Sequence, residues 1–132
     1  MKQVYLAGDM YGDWTERIAH ELNGRGYKFC KPKDLYAELS REESAKFYKE
    51  FDLIHVDTSD LVICYVSKDN PSGFGACCEC GRASGKNIPV LTCLELTGDE
   101  KWDNNRSFIS AVSSYYTNDF EELVKVVKRL AW

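Results

Sequence analysis

Leu61-Val62-Ile63-Cys64-Tyr65-Val66 is an unbroken apolar run, and Ser67-Lys68-Asp69-Asn70-Pro71-Ser72-Gly73-Phe74-Gly75 follows it directly. A run of that length without polar alternation suits a central strand covered on both faces, as in a parallel sheet. The residues after it are turn-formers, so the chain leaves the sheet in a loop that is polar and rich in glycine. Ala76-Cys77-Cys78-Glu79-Cys80-Gly81-Arg82-Ala83-Ser84 then reads as a helix ended by Gly85. Strand, glycine-rich loop and helix in that order form half of a parallel crossover unit, and the rest of the chain repeats the alternation.

Upstream, Gln3–Ala7 is a short strand ending at Gly8, and Trp14, Ile18 and Leu22 recur at helical spacing ahead of Gly24 and Gly26. Tyr27–Cys30 is a second strand closed by Pro32, and Leu35–Ser40 a loop or short turn. Ser40 with Glu43 makes a capping box for a helix from about Arg41 to Thr58. Downstream, Ile88–Leu94 is a fourth strand, Thr97–Asn105 a polar loop and Ser107–Ser113 a short helix. Tyr115–Tyr116 lies in a fifth strand, and Asn118 or Asp119 caps a last amphipathic helix, Phe120–Leu130. These elements predict an α/β fold: one doubly wound, five-stranded parallel sheet, flavodoxin- or Rossmann-like, in the order 2-1-3-4-5, with residues 1–132 as a single domain. Ligands of such sheets bind at the carboxyl ends of the strands, beside the switch point at strand 1.

Composition narrows the function. The net charge is −4 and aromatics make up 13% of the chain. With acids interleaved among the bases, a nucleic-acid groove is not expected. No stretch approaches the roughly 20 apolar residues of a membrane span, and the start lacks a signal-peptide pattern. The expected location is therefore the cytoplasm, with six reduced and mostly buried thiols (Cys30, Cys64, Cys77, Cys78, Cys80, Cys93). No CxxC pair or flanking histidine completes a zinc site, and neither a metal nor a cofactor is called for.

Gly73 and Gly75 allow a ligand to approach the backbone, and the start of the following helix offers amides and a positive dipole end. It is not a P-loop, because no Gly-Lys-Ser/Thr follows, and it comes after the third strand and not the first. Glu79, about one turn into that helix among small apolar residues, is either a helix-start carboxylate stabilised by the dipole or a reactive group at the ligand edge. A carboxylate there can be a base or a nucleophile, and glycoside chemistry uses such a group to form a glycosyl ester.

With these residues in place, the chain resembles the nucleoside 2-deoxyribosyltransferase family, with its related 2′-deoxynucleoside 5′-phosphate N-hydrolases. The resemblance rests on Val4-Tyr5-Leu6-Ala7-Gly8, Asp13-Trp14, Asp52 and Asp60, and the ordered set Gly75, Glu79, Gly81, Ala83, Gly85 and Lys86, and covers Met1 to about Thr92. It implies that Glu79 is the nucleophile, that Tyr5 orients it, and that Asp52 protonates the leaving base. Tyr5 also suits a core position and Asp52 a solvated helix, and Asp60 reads as a structural cap before the strand. Gly8, Asp9, Trp14, Ser72, Gly73 and Gly75 are the implied substrate contacts. Asn105 is the candidate for an asparagine that such proteins donate across a subunit interface, so a homodimer or larger homo-oligomer is expected.

Departures bear on the reaction. Gly73 stands where the transferases carry a sugar-binding aspartate, and Asp69 is in the same loop out of register. Asp9 replaces a proline common after Ala-Gly. Pro71-Ser72 and Gly81-Arg82-Ala83 look like the hydrolase branch, with the serine offset by one residue. Pro71-x-Gly73-Phe74-Gly75-x-x-x-Glu79 also resembles the loop of cytokinin-activating phosphoribohydrolases, which cut a nucleotide N-glycosidic bond. The resemblance thus implies cleavage or transfer at the N-glycosidic bond of a nucleoside or its 5′-monophosphate. A nucleotide-binding module without turnover and an NAD-cleaving enzyme are the alternatives.

Overall fold

A computed structural model describes residues 2–31, 38–70 and 73–130. Five parallel strands form one sheet in the order β2-β1-β3-β4-β5. They are β1 (Lys2–Gly8), β2 (Tyr27–Cys30), β3 (Leu61–Val66), β4 (Val90–Leu94) and β5 (Tyr115–Thr117). The predicted topology is therefore the observed one. Consecutive strand residues face opposite sides, which sorts the core into two layers. Val4, Leu6, Leu61 and Ile63 pack against Trp14, Ile18 and Leu22 of the α1 segment (α1, Trp14–Glu21) and against Leu123, Val124 and Val127 of the last helix. Tyr5, Ala7, Val62, Cys64 and Val66 face the other layer. That layer holds α3 (Leu53–Asp57), α4 (Phe74–Gly85) and α5 (Glu100–Ala111), through Val56, Ala76, Cys80, Ala83 and Ile109. Tyr5 thus shares a face with α4 because of strand parity alone.

Helix α2 (Arg41–Phe47) starts at the predicted capping box, with the Glu43 amide donating to Ser40 Oγ at 3.1 Å and the Ser40 amide to Glu43 Oε1 at 3.3 Å. The helix does not run on regularly to Thr58. A π-helical turn, Tyr48–Asp52, separates it from α3. A four-residue spacing drifts by about 40° around an α-helix, and the wider turn takes that drift back. Tyr48, Asp52 and Val56 consequently stay on one side, with Val56 in the core.

Further boundaries differ from expectation, and the last helix ends at Lys128, not Leu130. Helix α4 begins at Phe74, not Ala76, because Gly73 at its N-cap takes the left-handed conformation (φ 73°) that turns the chain into the helix. Strand β4 begins at Val90, not Ile88. The expected polar loop at Thr97–Asn105 is mostly the first half of α5, which absorbs the short helix expected at Ser107–Ser113. Asp99 caps α5 by accepting from the Trp102 amide at 3.2 Å, and only Arg106 and Ile109 of the helix are buried. With so little apolar periodicity, the segment carried no helical pattern to read. The last helix, α6 (Phe120–Lys128), is capped by Asp119, which accepts from the Glu121 amide at 2.9 Å. All six cysteines are free; Cys64, Cys80 and Cys93 are buried, Cys30 and Cys77 half-buried, and Cys78 exposed. Among the described residues, no helix is long and apolar enough to cross a membrane.

Candidate active site

The carboxyl ends of β1 and β3 lie side by side, and their loops depart to opposite layers, β1 toward α1 and β3 toward α4. Between them opens a cavity of about 550 Å³. Gly8 lets the two strands approach. Its φ is +116°, and a Cβ there would collide with the Tyr65 carbonyl oxygen across the sheet. The Asp9 amide then donates to that same carbonyl at 2.9 Å.

Glu79 lies on the second turn of α4 and is only 2% exposed. It accepts a hydrogen bond from the Tyr5 hydroxyl at 2.8 Å. Burial and the nearby Asp52 charge push its carboxyl up to about 8, against the opposing pull of the Tyr5 hydroxyl. The expected dipole-stabilised carboxylate of a first turn is thereby corrected: the longer helix moves Glu79 inward, and desolvation dominates. The Tyr5 phenol, fully enclosed beside Glu79, Asp52 and Tyr48, is held well above its ordinary value and stays a donor. Asp52, 3% exposed, lines the same cavity from the π-helical turn.

The cavity also brings together Gly8, Asp9, Gly73 and Gly75 of the predicted set. Asp9 Oδ1 accepts from the Ser67 amide at 3.1 Å and from Asn70 Nδ2 at 2.8 Å, so its carboxylate binds the two loops to each other. Gly75 leaves open space where a Cβ would stand. Trp14 is not in the cavity wall. Its indole packs in the core against Tyr65, with centroids 5.6 Å apart, and its Nε1 donates to the Asp9 carbonyl at 2.9 Å. It supports the loop from beneath. Asn105 is exposed on α5, away from the cavity. Ser72 lies outside the described residues. Asp60 receives the Gln3 amide at 2.8 Å at the start of β1, a structural tie as read from the sequence. Arg82 forks onto Asp57, with both bonds at 2.7 Å, and joins α4 to α3 outside the cavity.

Other wall residues escaped the sequence reading. Tyr48, whose hydroxyl donates to the Gly75 carbonyl at 2.9 Å, bridges the two sides of the cavity. Its four-residue spacing from Asp52 was a usable signal. Asn70 lines the wall, and its Oδ1 accepts from the Gly73 amide at 3.1 Å. Asp69, discounted as out of register, also lines it, as do Met10 and Tyr11 at the mouth. A loop without regular structure has no register, so spacing gave no guide there.

The site combines an enclosed carboxyl pair, a phenol donor on one of them, and a helix start whose N-cap, Gly73, has no side chain to fill the edge. Such a constellation can offer a nucleophile, an acid and an anion-binding edge. No family model matches the chain, and no curated protein matches it in sequence. Solved structures do match. The chain is similar to the Clostridium botulinum CMP N-glycosidase BcmB, with a TM-score of 0.61 and 19% identity over 96% of this chain and 98% of that one. It is also similar to BlsM, with a TM-score of 0.63 and 16% identity over 96% of this chain and 87% of that one. At these identities the likeness is one of fold, which in this chain is the 2-1-3-4-5 parallel sheet with helices on both faces.

Proposed function

We propose that the protein cleaves the N-glycosidic bond of a nucleoside or nucleotide, with Glu79 as the nucleophile. The observation that carries this is the enclosed Glu79 carboxyl, held by the Tyr5 hydroxyl at 2.8 Å in the wall of a ligand-sized cavity that Asp52 also lines. The fold shared with a protein described as a CMP N-glycosidase supports the same bond class. In the first step a Glu79 oxygen bonds to the anomeric carbon as the carbon–nitrogen bond breaks. The bonding pair leaves with the base, and Asp52 gives it a proton. In the second step water attacks the anomeric carbon, Asp52 takes a proton from it, and the Glu79 ester is released.

The start of α4, with Gly73, Gly75 and Ala76 on the wall, supports an anionic substrate such as a 5′-monophosphate. The role that the family resemblance implies for Ser72 is phosphate contact. Hydrolysis of a nucleoside 5′-monophosphate is the reading these features favour. A second reading, transfer of the sugar between bases, draws on the charge of the wall. Asp9, Asp52, Asp69 and Glu79 line it without a lysine or arginine among the described lining residues, which favours an uncharged nucleoside. Nucleosides, nucleoside 5′-monophosphates and NAD are incubated with the protein, with and without a second free base, and the products separated by chromatography. Base release from monophosphates without a second base supports hydrolysis. Exchange only with added base supports transfer, NAD cleavage supports the third chemistry, and no release from any substrate contradicts the proposal.

A further inference from the structure

Arg106 sits on α5, outside the cavity, and is 4% exposed. Among the described residues no carboxylate lies within ion-pair distance of it, and its Nε, fully enclosed, has no hydrogen-bond partner. An enclosed charge so placed is costly unless its remaining donors are well used. Its three hydrogen bonds among the described residues all go to loop carbonyls. Nη2 donates to Ser67 O at 2.6 Å and to Asn70 O at 3.3 Å, both after β3, and Nη1 donates to Glu95 O at 3.3 Å, after β4. The Lys68 amide completes the tie by donating to Glu95 Oε1 at 3.1 Å.

The chain of bonds then continues into the cavity. Ser67 and Asn70 hold Asp9 Oδ1, and Asn70 Oδ1 holds the Gly73 amide. Asp9, Ser67, Asn70 and Gly73 are all wall residues. We infer that Arg106 is a positioning residue that fixes the Ser67–Asn70 loop, and through Asn70 the geometry of Asp9 and Gly73, for substrate binding. A planar fork can hold two loops at once, whereas the single ammonium of lysine serves one direction at a time. Glu79 and Asp52 are held by α4 and the π-helical turn, so loss of the fork should weaken binding far more than it slows chemistry. This inference rests on the functional reading above only for its kinetic arm.

The test uses the full chain carrying R106A, R106K, N70A and the R106A/N70A pair. By amide hydrogen exchange, R106A should speed exchange at 67–70 and 73 by at least about tenfold, while amides in the centre of β3 change little. In base release, KM should rise by about tenfold or more with kcat within about threefold, because a wall shifted by about 1 Å misplaces substrate. R106K should fall between R106A and the unchanged protein. The double variant should lose less than the product of the single losses, since both act through one network. If R106A does not fold, R106K carries the same comparisons. Unchanged exchange in the loop, or losses that multiply independently, would overturn the inference. Absence of base release by the unaltered protein would remove the functional reading and leave Arg106 judged by exchange alone.

Discussion

Glu79 must lose its proton to attack, yet its surroundings keep the proton on. With its carboxyl pushed up to about 8, roughly a tenth of the molecules carry the ionised form at pH 7. The ascending limb of kcat/KM for base release, set by Glu79, should therefore extend toward about pH 8. The Tyr5 hydroxyl is the one group that favours the ionised form, so Y5F should move that limb to higher pH and lower the rate at pH 7. A Y5F profile superimposable on the original would leave Tyr5 as a core residue. Stability offers a check free of turnover. Below about pH 4.5 the folded and unfolded carboxyls are both protonated. Between there and about pH 8 the unfolded chain releases the proton while the fold retains it, so this group's support of the fold is lost as pH rises. E79Q removes that loss. Its melting temperature should match the original near pH 4 and exceed it at pH 8, where the unfolding free energies should differ by on the order of a few kcal/mol. Equal shifts at both pH values would contradict the burial account. At Asp52 the question is the leaving base. D52N should slow release of ordinary bases much more than release of nitrophenol from a nitrophenyl deoxyriboside, which leaves without a proton. Equal slowing of both would make Asp52 a binding or structural residue.

Two elements set these positions, the tight end of β1 and the π-helical turn. The first was legible: a strand ending in Gly8 places its loop at the switch point, and parity turns Tyr5 toward α4. G8A should push the end of β1 away from the Tyr65 carbonyl and reduce stability markedly, by about 2 kcal/mol or more in denaturant unfolding, since the clash adds to a strained φ. A fully stable G8A protein would contradict the register. The second element was not legible, because hydrophobic periodicity across residues 41–58 is blind to one wide turn within a helix. The first half of α5 was missed for a related reason: its helical support comes from an aspartate cap and two buried residues, not from an apolar stripe. Trp14 shows the converse error. It stands beside the cavity in sequence, but helical spacing with Ile18 and Leu22 turns its ring into the core. Arg82 tests how far a family-like motif carries. Its fork onto Asp57 is half exposed and away from the cavity, so R82A should cost no more than about 1 kcal/mol and leave KM unchanged. A large rise in KM would place it in the site after all.

For the molecule as a whole, the sheet order and the cavity at its switch point followed from alternation and loop chemistry, whereas assembly was expected from the family resemblance alone. Phe74 and Phe108 stand 75% and 68% exposed, with Tyr116 at 54%, and covering large apolar side chains favours assembly. We expect a homodimer or larger assembly by sedimentation at micromolar concentration, and F108E should shift it toward monomer. A fully active monomer would contradict that expectation. The account's central claim is that a buried glutamate breaks the glycosidic bond. It is tested most directly by chromatographic base release from the nucleoside and nucleotide panel, comparing the unaltered protein with E79Q, whose fold is checked by circular dichroism. The account predicts release by the unaltered protein and at least about a 10³-fold slower rate in folded E79Q. Near-normal release by a folded E79Q protein would contradict it.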